Sequence, residues 1–324
     1  EISGPLKEDK MRPRIAETAK TLWLIYASLT LLCAFAYWLA GMSPFDAITH
    51  SFSTVSIGGF STHDSSMAYF NSPAVNLITV AFLLISACNY ALHFNAFSNL
   101  GKRNIFVSYF RDPEFRFFMF IQIALVTICF FMLLTNHHFN GTFKNLEQAA
   151  FQSVSISTTA GYTTSSFDQW PLFLPILLLF ASFIGGCAGS TGGGLKVIRI
   201  LVLSLQGKRE LKRLIHPTLV YPVKLGKRVL DERVIQSIWA FFSAYLLVFV
   251  VCLLGVISCG VETFDAFNAV IACLNNLGPG LGSVSSNFVS IPDSAKWILT
   301  LTMVCGRLEI FSLLVLFTPA FWKS

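Results

Sequence analysis

Three short stretches of this chain carry residues suited to ion chemistry by the backbone: small or β-branched residues leading into a glycine. They read Thr54-Val-Ser-Ile-Gly-Gly-Phe-Ser-Thr62, Ser157-Thr-Thr-Ala-Gly-Tyr-Thr-Thr164 and Asn275-Asn-Leu-Gly-Pro-Gly-Leu-Gly282. Glycine holds backbone conformations closed to other residues, and so can turn main-chain carbonyls towards a cation that has shed its water. The loops align at Gly59, Gly161 and Gly278, which makes Ile57, Gly58, Gly59, Thr159, Ala160, Gly161, Asn276, Leu277 and Gly278 the candidate carbonyl donors. Phe45-Asp46-Ala47 opens fourteen residues before Gly59, Phe264-Asp265-Ala266 fourteen before Gly278, and Glu147 stands the same distance before Gly161. One such loop alone reads as a tight turn, since turns also demand glycine. Three in register, each preceded by a short amphipathic stretch (45–54, 147–156 and 264–273) and flanked by apolar segments, read as an ion filter. The preceding helices would aim their C-terminal ends at the loops, and about half a negative charge there favours a cation.

Two further features bear on ion passage. Ile184-Gly-Gly-Cys-Ala-Gly-Ser-Thr-Gly-Gly-Gly-Leu-Lys196 holds six glycines within residues 185–194. An interior glycine costs a helix about 1 kcal/mol relative to alanine, so Gly185, Gly186, Gly189, Gly192, Gly193 and Gly194 are expected to melt a span begun at Pro171. Residues 171–184 would reach only about 21 Å at 1.5 Å per residue, which puts the break at membrane depth, where irregular backbone survives by lining water or protein. With Ser190, Thr191 and Lys196 this stretch is soft enough to gate; close packing of small residues between helices is the plainer account. A nucleotide phosphate loop is excluded, because Gly194 is followed by Leu195 where lysine is required. The second feature is Arg307, in Cys305-Gly-Arg-Leu-Glu309. An arginine at a span centre costs about 2.5–3.5 kcal/mol, so Arg307 either projects into a pore beneath the filter or is buried against a carbonyl or carboxylate. Glu309 does not share its helix face. Lys196 and Arg199 are expected to anchor a span end by snorkelling.

The elements that must position these residues follow from hydropathy. The chain has 324 residues, 54% hydrophobic and only 12% charged, against about 25% charged in soluble domains. Its mean hydropathy is +0.64. The expected fold is an all-α membrane protein with spans over 18–41, 73–97, 114–136, 171–205 (interrupted), 234–259 and 292–321. Pro73, Pro171 and Pro292 stand at span starts, where a missing N–H is harmless. Lys102, Arg103, Arg111 and Arg116, the cluster from Lys208 to Arg233, and the N-terminal Lys7, Lys10, Arg12, Arg14 and Lys20 mark the cytoplasmic side. The opposite loops hold only Lys144 and Lys296. Six crossings and three re-entrant loops entering from outside result. The net charge of +6 lies in gaps between apolar runs and is no nucleic-acid footprint. Eight cysteines without Cys-x-x-Cys spacing read as packing residues. His137-His138 lacks a third ligand at zinc spacing, His63-Asp64 and Asp168 could draw cations to the mouth, and Asn89 reads as pore-facing or as an interhelical hydrogen-bonding residue. No nucleophile–base pair recommends an enzyme.

The three loops, together with Gly-Cys-Ala-Gly-Ser-Thr-Gly-Gly-Gly-Leu-Lys196, closely resemble the membrane pore subunits of bacterial Trk potassium uptake systems, the TrkH family within the wider Trk/Ktr/HKT group. The resemblance covers the whole chain. It implies tandem span–pore helix–span repeats around one pore, with potassium as the permeant ion at the filter carbonyls and no covalent cofactor. Gly59, Gly161 and Gly278 would be the filter glycines of the second, third and fourth of four repeats. Residues 1–17 would be a cytoplasmic linker, and 18–101, 102–232 and 233–324 the three repeats, with a first repeat missing from this stretch. By the same resemblance 185–194 is the gating loop and Arg307 the pore arginine. A homodimer, a cytoplasmic nucleotide-binding TrkA-type regulatory subunit, a bacterial inner-membrane location with the N-terminus of this chain cytoplasmic, and gated, channel-like potassium uptake are also implied. The rival reading is a carrier coupling potassium to sodium or protons.

Overall fold

The computed structural model describes residues 15–98, 105–171, 173–217, 221–316, 318 and 321–323. Most of the linker expected over 1–17, and the basic residues Lys102 and Arg103, lie outside them. The chain forms two compact units, residues 1–192 and 193–324.

In the first unit α1 (Ile15–Leu39) is followed by the short α2 (Pro44–Val55), α3 (Pro73–Ser86), α4 (Tyr90–Ser98), α5 (Ile105–Arg111), α6 (Pro113–Thr135), the short α7 (Thr142–Ser157) and α8 (Leu174–Ala181). Ser43 and Pro44 start α2: the serine oxygen accepts from the Asp46 N–H while proline fills the first position, where no donor is missed. Asp112 caps α6 in the same way, accepting from Glu114 and Phe115. α1 and α6 expose Leu31, Leu32, Phe35, Phe120, Ile123 and Phe131, the faces a lipid phase would cover. The second half of the short α7 inverts that pattern. Residues 151–160 are buried throughout although they include Gln152, Ser153, Ser155 and Ser157. A helix buried all round while carrying polar groups belongs inside protein, and α7 packs between α6 and α3.

The second unit holds α9 (Val197–Ile215), a hairpin of β1 (Lys224–Leu225) and β2 (Arg228–Val229), α10 (Glu232–Ser258), the short α11 (Thr263–Leu274), α12 (Asp293–Arg307) and α13 (Phe311–Leu316). Its core gathers Val256, Val261, Ala266, Val270, Cys273, Val284 and Leu299 where α10, α11 and α12 meet.

The three expected short helices are thus present as α2, α7 and α11. Among the described residues three helices are long and apolar enough to cross a bilayer: α1, α6 and α10. The segment expected as one span over 73–97 is instead two helices bent by 92°. The segment over 171–205 keeps only eight residues of helix before irregular backbone runs to Lys196. The segment over 292–321 breaks after Arg307, where Glu309 (φ 53) and Ile310 (φ 20) leave the helical region. A hydropathy window averages across such breaks. Their cause is local: at the first, the Asn89 side chain accepts from the Ala91 N–H at 2.7 Å, which starts a new helix. Asn89 is a cap, a role its sequence context had not marked.

Replacing Asn89 with alanine removes that cap, worth about 1 kcal/mol; thermal unfolding of the detergent-solubilised protein is expected to show a lowered midpoint.

Candidate functional site

The three short helices end in one and the same closure. The N–H of Ile57 bonds Thr54 O at 3.1 Å and that of Gly58 bonds Ser53 O at 2.7 Å; Thr159 and Ala160 repeat this on Ile156 O and Ser155 O at 3.0 and 2.8 Å, Asn276 and Leu277 on Cys273 O and Ala272 O at 3.1 and 2.8 Å. This is the Schellman arrangement, whose left-handed residue is usually glycine. Here that residue is Ile57 (φ 54), Thr159 (φ 68) or Asn276 (φ 57), at a cost of roughly 1–2 kcal/mol for a side chain in that region. Two residues on, Gly59 (φ 69), Gly161 (φ 81) and Gly278 (φ 97) are left-handed again. A strand of one hand sends successive carbonyls to opposite sides, whereas alternating hand lets consecutive peptide groups face one way, the same backbone alternation that gathers N–H groups into anion nests on the opposite edge. Among the described residues no backbone N–H bonds the carbonyl of Ile57, Gly58, Gly59, Ala160, Gly161, Asn276, Leu277 or Gly278. Ile57, Ala160 and Leu277 are buried, so carbonyls there call for water or a cation.

In the first unit two of the loops touch backbone to backbone: a Cβ on Gly59 would lie 1.8 Å from Ala160 O. Further out, Ala68 N–H bonds Thr163 O at 3.2 Å. Side chains fix each loop to the start of its own helix. Asp46 accepts from Thr62 at 2.6 Å, and Asp265 accepts from Ser283 Oγ at 2.5 Å. At the middle loop the corresponding group is Gln148, which accepts from Thr164 at 2.7 Å and Ser165 at 3.0 Å. Glu147, the residue aligned from sequence, instead takes Asn76 Nδ2 at 2.7 Å and Lys144 at 3.2 Å. The loop-tethering position lies thirteen residues before each glycine, and an amide there escapes a search for carboxylates. Each long helix also reaches the last turn of its short helix. Tyr37 meets Thr54 at 2.9 Å, Gln122 accepts from Ser157 at 2.9 Å, and Tyr245 bonds Asn275. These tethers stand at irregular distances from the glycines and carry no sequence signal.

The glycine stretch is tied down in the first unit rather than soft. Cys187 N–H bonds Ala87 O at 2.8 Å and Tyr90 N–H bonds Gly189 O at 3.2 Å. Ala188 N–H donates to Glu114 Oε1 at 2.6 Å, and Thr191 Oγ1 donates to Val55 O at 2.9 Å. Glu114 is fully buried at the N-terminus of α6, whose dipole favours a carboxylate. A Cβ on Gly192 would stand 3.0 Å from Thr158 O and 3.6 Å from the Ile57 side chain. The stretch therefore abuts the ends of α2 and α7. Gly193, Gly194 (φ 73) and Lys196 (φ 75) follow in the second unit.

Arg199, expected to snorkel, is 5% exposed. It donates to Glu309 Oε2 at 2.5 Å and to Leu195 O at 3.1 Å, with its guanidinium 3.9 Å over the Phe241 ring. The break at 308–310 brings Glu309 within reach of it. Arg307, the last residue of α12, is exposed. Its neighbour Gly306 lies against the third loop: a Cβ there would fall 2.0 Å from Leu274 O and 2.6 Å from Asn276 Nδ2. Asn276 Nδ2 itself donates to Met303 O at 3.2 Å. α12 thus touches the loop over 303–306, and Arg307 comes directly after.

Residues 1–324 match the TrkH family, described as a cation transport protein. The chain belongs to that family, one of transporters and not of enzymes. It is 63% identical over its whole length to the Trk system potassium uptake protein TrkH of Vibrio parahaemolyticus, 60% identical to that of Escherichia coli K12 and 39% to the latter organism's TrkG. It spans 66% of the length of each of these relatives. The crystal structure of the potassium transporter TrkH from Vibrio parahaemolyticus superposes with a TM-score of 0.91 at 62% identity, covering 97% of this chain and 67% of that one.

Gly59→Ala and Gly306→Ala each drive a methyl into a backbone oxygen and are expected to destabilise by more than about 3 kcal/mol, read as loss of monodisperse protein. Gly207→Ala, with open space around it, is expected to gain about 0.5–1 kcal/mol. The bonds from Thr62 and Ser43 hold the Asp46 carboxyl below the ordinary aspartate range. A depressed value adds stability above the unfolded pKa and loses it as pH falls through the folded one. Hydrogen exchange over 57–63 is therefore expected to stay slow to below the usual aspartate range and to rise only then.

Proposed function

We propose that this chain forms the conducting part of a potassium-selective, channel-like uptake protein of the bacterial inner membrane. The observation that carries the reading is the shared loop: alternating left-handed residues, with carbonyls that no backbone donor takes, at the C-terminal end of a short helix whose last residues are buried, built three times. Carbonyls of Ile57, Gly58, Gly59, Thr159, Ala160, Gly161, Asn276, Leu277 and Gly278 replace the hydration shell of a potassium ion, and the helix ends supply negative potential. The relatives named above carry potassium uptake in their names, which supports the choice of ion.

The broken segments α3/α4, α8/α9 and α12/α13 are spans interrupted at depth, giving six crossings with the three loops entering from outside. The glycine stretch 185–194 is the gate. Its closed form is held by the Glu114–Ala188 and Thr191–Val55 bonds, so opening breaks a defined set of contacts rather than deforming a slack loop. Arg307 stands at the pore below the third loop and raises the barrier to cations. A homodimer, with a nucleotide-binding TrkA-type subunit on the basic cytoplasmic face, completes the assembly.

Spans broken at depth are also the hardware of coupled carriers. Tracer uptake of potassium, rubidium and sodium by the full-length protein in vesicles, at set membrane voltage and with or without co-ions, tests the proposal. Flux that follows voltage with no required co-ion supports a channel; a fixed co-ion stoichiometry overturns it in favour of a carrier. Arg307→Ala is expected to raise potassium flux several-fold, and unchanged flux in well-assembled protein removes Arg307 from the pore.

A further inference from the structure

The residue after the second loop glycine, Tyr162, is fully buried and held at both ends. Its carbonyl accepts from Ser155 Oγ at 2.7 Å. Its hydroxyl lies 3.3 Å from Thr54 Oγ1 and 3.4 Å from His50 O, both on the short helix of the neighbouring repeat. From Thr54 the contacts continue to Tyr37 Oη at 2.9 Å and on to Thr79 Oγ1 at 2.9 Å, which donates to Val75 O at 2.8 Å. Tyr37, Thr54 and Thr79 are also fully buried. One line of hydroxyls therefore runs from the second loop through α2 to α1 and α3.

Proton counting leaves this line one donor short. Four hydroxyls bring four protons, yet five oxygen–oxygen contacts need one each: Tyr162 with His50 O and Thr54, Tyr37 with Thr54 and Thr79, and Thr79 with Val75 O. One contact must go without. With Thr54 donating to Tyr162, Tyr162 to His50 O and Thr79 to Val75 O, the shortfall falls on one of the two contacts of Tyr37, and the two contacts at Tyr162 are the longest of the five. Since Ala160 O abuts Gly59, any give at Tyr162 alters the spacing between the two loops.

We infer that the Tyr162–Thr54–Tyr37–Thr79 hydroxyl line is a brace that sets the spacing of the first two loops, with Tyr162 a positioning residue for ion selectivity. The inference rests on the filter reading above. A buried polar line of this kind has no value to lipid-facing packing, because four hydroxyls in apolar surroundings are costly unless paired. Removing one hydroxyl while keeping the ring leaves volume intact and slackens only the spacing.

The test is the sodium-to-potassium tracer flux ratio of the full-length protein. Tyr162→Phe is expected to raise it roughly three- to tenfold, the range set by losing one hydrogen bond, with assembly unchanged. Thr79→Val, far along the line and touching no loop residue, is expected to raise it by roughly twofold, as a partial loss of the same bonding; Tyr69→Phe at the exposed mouth is the control and should not move it. An unchanged ratio in both line variants, while Gly161→Ala alters it, overturns the brace and leaves the filter standing. An unchanged ratio in all three overturns the filter reading itself. Should Tyr162→Phe fail to assemble, Thr79→Val decides, and a wild-type ratio there rejects the brace.

Discussion

Everything in this protein turns on how a short helix is stopped. The Schellman closure spends the N–H groups of Ile57 and Gly58, and of their counterparts, on carbonyls of the helix behind them. Among the described residues no backbone N–H takes the carbonyls of Ile57, Gly58, Ala160, Asn276 or Leu277, at the end of a helix whose own dipole makes the position electronegative. A turn that ended by pairing those carbonyls would be more stable and chemically inert. The left-handed isoleucine, threonine and asparagine show the strain concentrated where the chemistry lies, as strain commonly is.

The rest of the structure resists the relaxation that this arrangement invites. Tyr37, Gln122 and Tyr245 hold the helix ends; Asp46, Gln148 and Asp265 hold the far ends of the loops. A side chain would run into a backbone oxygen at Gly59, against Ala160, and at Gly306, against Leu274. Polar side chains inside a hydrophobic body thus act as struts, paired across it as buried polar groups commonly are, although Gln122 Nε2 has no partner among the described residues.

The short helices and the left-handed loop glycines are legible from residue order, because helix ends and backbone hand are set within about twenty positions; the approach of Gly59 to Ala160 is not. The glycine break was legible as well, since helix propensity is local. What escaped depends on distance. Glu114 meets Ala188, Tyr37 meets Thr54 and Thr79, and Arg199 meets Glu309, and no spacing rule announces such pairs. The same limit explains the spans over 73–97 and 292–321, read as continuous because Leu and Ile on both sides of a break give the same average as an unbroken helix. Gln148 was passed over for Glu147 by chemistry rather than by distance: an amide oxygen accepts as a carboxylate does, without the charge that attracts notice.

The Arg199–Glu309 pair carries a consequence for how this family can drift. The arginine is buried and its partner half open to solvent, so loss of either strands a charge at a cost of up to about 3 kcal/mol, less what solvent screens at the glutamate end. Substitution at one site is therefore penalised until the other changes, while joint exchange to an apolar couple can be neutral. Positions 199 and 309, far apart in the chain, are therefore expected to change together rather than one at a time.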